Sequence, residues 1–513
     1  MKYHNSAASG HQAVTDAAME IFEDGGNAFD AIVAAGFASA VSEPALNSLG
    51  GGGFLLARTA SGQETLFDFF VDTPGRGLDD AEGRKPHFFP VTIKFPGSDQ
   101  VFNVGMGSGA VPGNLMGFLH IHNRLCTLPL ERILEPAIKL AENGVQLNYH
   151  QGYFLNMLRP IMTLTERSRG IFGQGERYLK AGDLLKNPDL AAFLKRLPKE
   201  GANALYSGET ARLMADEMAR EDGLLTLDDL ASYRVIERRP LETLYRGRRI
   251  LTNCPPSSGG PLITVAMNLL EHLDFSADGW GSSGHVAALC GCMKEVDLAR
   301  SMGMDGPDRI KNGWYGEAAQ RIASMPAGSG TGLRLFSRGT THMSVSDSEG
   351  NVASMTCSNG EGSGYIIPGT GIMLNNMMGE DDLHPEGFHS SPPGIRVSSM
   401  MSPSLVTGPH GVDLVLGSGG SKRIRTAIMQ VMVNYVDFGM DIEEAVHAPR
   451  IHWDSAVFQV EPGYQGRAIE TIEKAGPVNV WDDIDVYFGG VHALEPRGGC
   501  AGDPRRGGVC RRA

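Results

Sequence analysis

Apolar residues recur at helical spacing over much of the chain. In the stretch "GHQAVTDAAMEIFEDGGNAFDAIVAAGFASAVSEP" they fall three and four positions apart, which predicts two helices joined at Gly25–Gly26. A glycine closes another amphipathic pattern at Gly144, and Thr226 begins one with Asp229 three positions on, as in a capping box. Further helices are predicted within 129–144, 207–223, 225–233, 253–273 and 413–439.

Strand-like alternation fills the spaces between these helices. It predicts strands within 65–74, 364–387 and the start of 413–439, and a β-hairpin over 337–358. The glycine-rich segment 307–339 before the hairpin is typical of an exposed loop. Because helices precede and follow antiparallel strands, the pattern favours stacked layers of helix and sheet.

The hairpin "SRGTTHMSVSDSEGNVASMTCS" separates its side chains by type. One face is apolar, and the other carries hydroxyls and one imidazole, from Thr340, His342, Ser344, Ser346, Ser354, Thr356 and Ser358. Two interpretations follow. The hairpin has one solvated face, as antiparallel sheets often do, or its polar face is the floor of a pocket with Thr340 at the lip.

Composition and charge exclude several classes of function. The chain has 513 residues, 42% of them hydrophobic, and a formal net charge of −14, which argues against nucleic acid as a partner. No apolar run approaches the roughly 20 residues that span a bilayer, so no membrane association is expected. The N-terminus lacks the apolar core of a signal peptide, and a cytoplasmic protein is expected.

The cysteines predict neither a disulfide framework nor a metal site. There are seven of them, scattered along the chain, which is typical of free thiols. Cys290 and Cys292 lie two positions apart in a helical pattern, so their side chains point apart. No metal and no organic cofactor are expected.

Thr340 is a candidate nucleophile. A threonine hydroxyl needs a base beside it. If the bond between Gly339 and Thr340 were cut, the new α-amine would supply that base, since its ordinary pKa is about 7.7–8.0. Gly339 has no side chain to block the hydroxyl from the preceding carbonyl.

The segment "GSGGS" (417–421) lies between a predicted strand and a predicted helix. Backbone N–H groups at Gly419 and Gly420, near a helix N-terminus, are suitable donors for an oxyanion. A generic tight turn or a phosphate cradle is the alternative, although the segment matches neither the Walker pattern nor the dinucleotide fingerprint.

Several segments together resemble the γ-glutamyltransferases (glutathione hydrolases), a family of N-terminal-nucleophile hydrolases. They are "GGNAFDAIVAAGFASAVSEPALNSLGGGGF", "LTLDDLASYRV", "PPSSGG", "TTHMSVSDSEGNVASMTCS", "TGIMLNNMMGEDDL", "RVSSMMSPSLV", "GSGGSKRIRTAIMQ" and "AGDPRRGG". The resemblance covers nearly the whole chain in order. It implies an α+β fold, a four-layer αββα sandwich forming one intertwined structural domain. It also implies self-cleavage into a large subunit, 1–339, and a small catalytic subunit, 340–513, that stay associated.

The resemblance assigns roles to individual residues. Thr340 falls on the catalytic threonine, Gly419 and Gly420 on the oxyanion-hole glycines, and Ser358 on a hydroxyl that bonds the threonine or its amine.

In the substrate pocket, the resemblance places Ser398 and Ser399 on a serine pair that holds the substrate α-carboxylate. Glu380 falls on an acid that holds the α-ammonium, and Asn359 on an asparagine of the same pocket.

Two positions depart from the family pattern. Where typical members carry an arginine that clamps the α-carboxylate, this chain has Phe70, and Met377 replaces another polar residue. Losing such a contact costs roughly 1.5–3 kcal/mol per charged hydrogen bond unless another group replaces it. Arg58 and Arg76 are candidates for that replacement.

The sequence thus predicts an acyl-transfer enzyme that acts on small molecules, glutathione or another γ-glutamyl amide. An acylase for a glutaryl or cephalosporin side chain, with the same nucleophile, is the first alternative. An inactive scaffold that keeps the fold is the second.

Overall fold

A computed structural model describes residues 2–78, 85–95, 98–174, 177–323, 339–384 and 386–513. Its helices are α1 (Gln12–Glu23), α2 (Ala28–Ser42), α3 (Asn114–Leu125), α4 (Leu130–Asn143), α5 (Tyr149–Met157), α6 (Arg159–Met162), α7 (Glu166–Phe172), α8 (Pro188–Glu200), α9 (Asn203–Tyr206), α10 (Gly208–Arg220), α11 (Leu227–Ser232), α12 (Gly259–Glu271), α13 (Ser283–Ser301), α14 (Trp314–Ala323), α15 (Arg423–Asp437), α16 (Ile442–His447) and α17 (Arg467–Ala475).

Its strands are β1 (Ser6–Ser9), β2 (Gly52–Arg58), β3 (Glu64–Phe69), β4 (Phe89–Phe95), β5 (Ser98–Val104), β6 (Val145–Gln146), β7 (Gly173–Gln174), β8 (Arg177–Tyr178), β9 (Leu184–Leu185), β10 (Ile236–Arg238), β11 (Leu241–Tyr245), β12 (Arg248–Thr252), β13 (Thr341–Ser346), β14 (Val352–Ser358), β15 (Ser404–Gly408), β16 (Gly411–Gly419), β17 (Ile451–Trp453), β18 (Phe458–Val460), β19 (Val478–Val480), β20 (Gly490–Leu494), β21 (Cys500–Ala501) and β22 (Val509–Arg512).

Two antiparallel sheets lie face to face at the centre of the molecule. The first has seven strands in the order β10-β3-β2-β14-β13-β1-β22, and the second has six in the order β11-β12-β15-β16-β20-β21. Strand β13 contacts β16 and β20, and β14 contacts β16, so the hairpin lies against the centre of the second sheet. This arrangement is two sheets packed as a sandwich.

Helices cover both outer faces of the sandwich. Helices α1 to α4 and α8 bury an apolar cluster against the first sheet, which includes Met343, Val345 and Met355 of the hairpin. Helices α12, α13 and α15 bury a second cluster against the other sheet. The predicted αββα layering is confirmed. Within the described residues, no helix is both long and apolar enough to cross a bilayer.

The hairpin forms as predicted, but its polar face is not solvated. Every residue of β13 and β14 is buried. The hydroxyls point into the space between the two sheets, where Ser344 Oγ donates to His492 O at 3.0 Å and Ser354 Oγ donates to Leu416 O at 2.8 Å. The interpretation of a wet face is therefore wrong, because a second sheet covers that face.

Other expectations had mixed outcomes. The two helices around Gly25–Gly26 form, and α11 begins with the predicted capping box of Thr226 and Asp229. The strand predicted within 364–387 is absent among its described residues, which form isolated bridges and a short 3₁₀ turn at Met377–Gly379. The loop predicted over 307–339 is wrong for 314–323, which form α14, because Trp314, Ala318 and Ile322 recur at helical spacing and are buried. Residues 324–338 lie outside the described residues.

Strands from both sides of the Gly339–Thr340 bond alternate within the first sheet. Strand β14 pairs with β2, and β13 pairs with β1. The C-terminal strand β22 then pairs with the other edge of β1. The segments 1–339 and 340–513 are therefore interleaved by main-chain hydrogen bonds.

A buried ion network holds the turn between β21 and β22. Asp503 accepts from Arg450 at 2.6 Å and from Arg505 at 3.2 Å, and Arg505 also binds Glu461 at 2.5 Å. All four side chains are at most 2% exposed. Burial raises the pKa of Asp503, but the two guanidinium groups outweigh burial and hold that pKa well below its usual range.

Replacing Asp503 by Asn should destabilise the fold. The change leaves two buried cations undercompensated, which typically costs about 3–5 kcal/mol of unfolding free energy. A carboxylate with a lowered pKa stabilises the fold fully above its unfolded pKa, about 3.9, and loses that contribution as the pH falls. The difference from wild type in urea unfolding should therefore be full at pH 7 and shrink below about pH 4.

Asp16 is the matched control. It pairs with Arg511 at 3.1 Å on the surface, where both side chains are well exposed. Asp16→Asn should cost less than about 1 kcal/mol. Equal losses in the two variants, or a loss in Asp503→Asn that persists unchanged at low pH, would contradict the assignment.

Candidate active site

The Gly339–Thr340 peptide bond lies at the start of β13, inside the fold. Thr340 Oγ1 donates a hydrogen bond to Gly339 O at 2.8 Å, and Ser358 Oγ donates to the same oxygen at 2.5 Å. Ser358, the last residue of β14, also accepts from Gly360 N–H at 3.0 Å. Two hydroxyls therefore polarise one carbonyl, and one of them belongs to the residue that would attack it.

The pairing of the hairpin places these two hydroxyls together. Thr341 of β13 is opposite Cys357 of β14, so Thr340 and Ser358 lie side by side at the open end of the ladder. Their oxygens are 3.4 Å apart. The alternation that put both residues on one face is confirmed at this end of the hairpin.

The turn after β16 lies against Thr340. A Cβ at Gly419 would lie 2.2 Å from Thr340 O, so no other residue fits there without displacement. Gly420 has φ +120°, which L side chains rarely adopt. Helix α15 begins three residues later, at Arg423. The structure thus brings the predicted oxyanion glycines to Thr340, and their donor role stays a prediction.

A cleft of about 340 Å³ opens beside Thr340. Its polar lining consists of Thr340, Ser358, Glu380, Asp382, Ser399 and Ser421. Its apolar lining consists of Phe70, Met377, Leu383, Met400, Met401 and Ile424. Among the described residues that line it, two are acidic and none is basic.

The predicted serine pair is divided. Ser399 lines the cleft, and its carbonyl accepts from Ser258 N–H at 2.8 Å in the segment that opens α12. Its Oγ accepts from Met401 N–H at 3.1 Å. Ser398 is half-buried outside the lining, and its Oγ donates to Pro256 O at 2.9 Å. The "PPSSGG" motif therefore anchors both serines.

Glu380 and Asn359 approach the cleft from one side. Glu380 lines it and is 5% exposed, and its carboxylate packs against Gly360. Asn359 is buried directly behind Ser358 and does not line the cleft. Its N–H donates to Leu46 O at 3.2 Å, while its buried Oδ1 accepts no hydrogen bond from the described residues.

The arginine candidates for replacing the missing clamp are both elsewhere. Arg58 pairs with Glu64 at the far end of β2, and Arg76 is an exposed residue beside Gly394. Phe70 lines the cleft and stacks on Phe54 with ring centroids 5.5 Å apart. Neither arginine therefore lines the cleft near Phe70.

A different arginine lies near Phe70 but is already paired. Arg396 binds Asp72 at 2.9 Å and Asp68 at 3.2 Å, and it donates to Phe70 O. Burial raises the pKa of Asp72 to about 6, and Arg396 opposes that shift. Two carboxylates thus hold the guanidinium of Arg396 behind the cleft wall.

Two charged residues near the nucleophile were not predicted. Arg506 donates to Thr340 O at 3.1 Å. Glu43, at the end of α2, accepts from Thr341 Oγ1 at 3.0 Å, and burial raises its pKa to about 7. Both lie far from Thr340 in sequence. Only the motifs "AGDPRRGG" and "SEPALNSLGGGGF" that contain them could have indicated their importance.

Within the described part of the chain, no group of three or more histidine, cysteine or acidic side chains is arranged to hold a metal ion. The seven cysteines are free thiols, and Cys290 and Cys292 are buried in α13. The chemistry available in the cleft is that of hydroxyls, carboxylates and backbone groups.

The family model described as Gamma-glutamyltranspeptidase matches residues 14–511. The chain is 32% identical to a glutathione hydrolase proenzyme of Escherichia coli over 498 residues, covering 91% of this chain and 84% of the relative. It is 34% identical to the acylase ACY 1 proenzyme of a Pseudomonas species over 466 residues, covering 88% and 83%. A glutathione hydrolase and an acylase are thus similar to this chain at nearly the same sequence identity.

Solved structures share the fold. Cephalosporin acylase from Bacillus halodurans superposes with a TM-score of 0.84 over 99% of this chain and 96% of its own, at 23% identity. The γ-glutamyltranspeptidase of Helicobacter pylori, 31% identical, superposes with a TM-score of 0.52 over 61% of this chain and 89% of its own. With the family model spanning nearly every residue around Thr340 and the cleft, the chain belongs to the γ-glutamyltranspeptidase family.

Proposed function

We propose that this chain is a precursor that cuts itself between Gly339 and Thr340 and then transfers or hydrolyses γ-glutamyl groups with Thr340. The observation that carries the proposal is the pair of hydroxyls on the Gly339 carbonyl, 2.8 Å from Thr340 and 2.5 Å from Ser358. The two products, 1–339 and 340–513, stay associated because their strands alternate within one sheet.

Self-cleavage follows from this contact. Thr340 Oγ attacks the Gly339 carbonyl carbon, its hydroxyl proton passes to the amide nitrogen, and the peptide C–N bond breaks as the acyl group moves from nitrogen to oxygen. Ser358 stabilises the charge that develops on the carbonyl oxygen. Water then hydrolyses the ester, which leaves Thr340 with a free α-amine and a free hydroxyl.

The mature site uses the same hydroxyl on a substrate amide. The α-amine takes the proton from Thr340 Oγ as it attacks, and gives that proton to the leaving amine. We propose that N–H groups of the Gly419–Gly420 turn bind the oxyanion, and the close approach of this turn to Thr340 supports that role. Water or an acceptor amine then releases the acyl group from Thr340.

The first experiment is the mass of the purified protein. Wild type should give two pieces, 1–339 and 340–513, because the attacking hydroxyl and the polarised carbonyl are in contact. Thr340→Ala should stay intact, whereas Thr340→Ser, which keeps a hydroxyl, should still be cut. An intact wild type would contradict the proposal and favour the inactive scaffold.

Ser358→Ala should slow self-cleavage by about 10²–10³-fold, the usual effect of removing one oxyanion donor. The measurement is the rate at which precursor disappears on a denaturing gel after synthesis. Ser354 is the matched control, since it lies on the same face of β14 and its hydroxyl donates to Leu416 O. Ser354→Ala should cleave at nearly the wild-type rate. Equal rates for Ser358→Ala and wild type would remove Ser358 from the mechanism.

The acyl side of the cleft supports a substrate with an α-ammonium. Glu380 supplies a buried carboxylate, and Asn359 keeps a buried oxygen without a described donor. Ser399 supplies a hydroxyl for an α-carboxylate. We propose that Glu380 holds the ammonium and Ser399 the carboxylate, with Asn359 and Ser398 supporting them from behind the lining.

Phe70 favours a second candidate, an acylase for another short side-chain amide. Because a glutaryl group keeps the carboxylate, the absence of a cation from the described lining favours an acyl group without a carboxylate over both γ-glutamyl and glutaryl. Phe70 and Met377 give the cleft an apolar wall, and the described lining offers no cation to a carboxylate. A charge-assisted contact is therefore missing where the resemblance leads one to expect it.

Three p-nitroanilides separate these candidates. The γ-glutamyl compound carries both α groups, the glutaryl compound lacks only the ammonium, and the 4-aminobutyryl compound lacks only the carboxylate. If Glu380 binds the ammonium, Glu380→Gln should lower kcat/KM roughly ten- to a hundredfold for the γ-glutamyl and 4-aminobutyryl compounds. The same variant should spare the glutaryl compound.

Glu386 is the control for this substitution, because it is an exposed carboxylate in the same loop. Glu386→Gln should change none of the three rates. An equal effect of Glu380→Gln on all three substrates would contradict the ammonium contact. A wild type that prefers the glutaryl compound would favour the acylase.

A further inference from the structure

Arg506 contacts the nucleophilic residue from a different part of the chain. It lies in the 3₁₀ turn Pro504–Arg506, between β21 and β22, and it is 3% exposed. One of its terminal nitrogens donates to Thr340 O at 3.1 Å, and the other donates to Val486 O at 3.4 Å. The guanidinium therefore ties the main chain of Thr340 to two other segments.

The surroundings of Arg506 fit a guanidinium closely. A Cβ at Gly419 would lie 3.1 Å from one terminal nitrogen, and a Cβ at Gly490 would lie 2.4 Å from Arg506 Cδ. The ring of Phe154 lies 5.7 Å from the guanidinium carbon. Two glycines of adjacent strands thus leave the space through which Arg506 reaches Thr340.

We propose that Arg506 is a positioning residue for Thr340: its guanidinium fixes the Thr340 carbonyl and places a positive charge beside the α-amine that self-cleavage creates. This inference rests on the proposed function, because the amine exists only after the Gly339–Thr340 bond is cut. In the precursor, the same contact holds Thr340 in the position from which its hydroxyl reaches Gly339 O.

The consequence concerns the protonation of the amine. A general base must be neutral to accept a proton, and a nearby cation disfavours the ammonium form. Arg506 should therefore lower the pKa of the α-amine below its ordinary value of about 7.7–8.0. More of the enzyme is then active at neutral pH.

The neighbouring charges leave the effect of Arg506 in place. Burial lowers the pKa of Arg506 to about 10, so it stays charged at neutral pH. Burial raises the pKa of Glu43 to about 7, so its negative charge is largely absent on the acid side. The other charged or titratable groups that face Arg506 are Asp503, Asp485, Arg423, His150 and His492.

The acids among those groups have partners of their own, and Asp485 accepts from Tyr487 N–H at 2.8 Å. Asp503 is bound between Arg450 and Arg505. Burial raises the pKa of Asp485 and lowers that of His492, to about 4 for the histidine. Burial also lowers the pKa of His150, and Arg423 adds a second positive charge stacked on Tyr487.

The test compares Arg506→Lys with Arg506→Gln. Lysine keeps the charge, and glutamine keeps a donor without the charge. The measurement is the pH dependence of kcat/KM on whichever p-nitroanilide the wild type hydrolyses. In Arg506→Gln the acid limb should shift to higher pH by about one unit, because the loss of a nearby positive charge raises the pKa of the α-amine. The acid limb of Arg506→Lys should stay near that of wild type.

Self-cleavage provides the second measurement, in case a variant remains uncut. Arg506→Lys should be cut faster than Arg506→Gln. Both precursors should have melting temperatures close to that of the Thr340→Ala precursor. Arg425 is the control, since it is a buried arginine on α15 that pairs with Asp297 at 3.4 Å. Arg425→Gln should leave the acid limb unchanged.

Several results would overturn the inference. One is an unshifted acid limb in Arg506→Gln, and another is an equal rate of self-cleavage in both Arg506 variants. A third is an equal loss of activity in both variants together with a lower melting temperature, which would make Arg506 purely structural. Failure of the proposed function looks different, because wild type itself would then stay uncut.

Discussion

The site depends on how closely the two sheets approach each other at β13 and β16. A Cβ at Gly417 would lie 2.3 Å from the ring of His342, and a Cβ at Gly419 would lie 2.2 Å from Thr340 O. These glycines are two positions apart, so they share the inner face of β16. Because neither has a side chain, β13 can lie directly on β16, and Thr340 reaches the turn that leads into α15.

This close approach also explains the hydroxyls of the hairpin. The large majority of buried polar groups in proteins have a hydrogen-bond partner. His342 bonds Thr356 at 2.8 Å and Ser344 at 3.0 Å, and burial lowers its pKa, so it remains a neutral structural group. Small hydroxyl side chains fill the narrow space, and Ser344 and Ser354 donate to main-chain carbonyls of the second sheet. The same row of hydroxyls ends at Ser358 and Thr340, where the partner is the Gly339 carbonyl.

The helices and the hairpin that depend on apolar periodicity could be predicted from the sequence. Helices α1, α2, α4 and α11 and the hairpin follow from apolar spacing and capping residues, and the polar face of the hairpin was identified correctly. Periodicity gives the side of a strand on which a residue lies, but not what covers that side. For this reason the pattern could not show that the second sheet lies on the hydroxyls.

Contacts between residues far apart along the chain could not be predicted from the sequence. Arg506 reaches Thr340 from the turn between β21 and β22, and Glu43 reaches Thr341 because α2 packs on β13. The 364–387 segment has strand-like composition, yet it forms a wall held by isolated bridges and side-chain amides such as Asn375. The positions of Arg58 and Arg76, both away from the cleft, likewise depend on where strands and loops end.

The proposed nucleophile and the proposed substrate cleft are built from different elements, and this separates reactivity from specificity. Thr340, Ser358 and Gly419 are fixed by main-chain pairing and by the contact of two sheets. The cleft wall comes from the end of β3, from the loop that carries Glu380 and from the segment before β15. Side chains such as Phe70 can therefore change without disturbing the hairpin. That division gives a physical reason why proteins named as glutathione hydrolases and as acylases are equally similar to this chain.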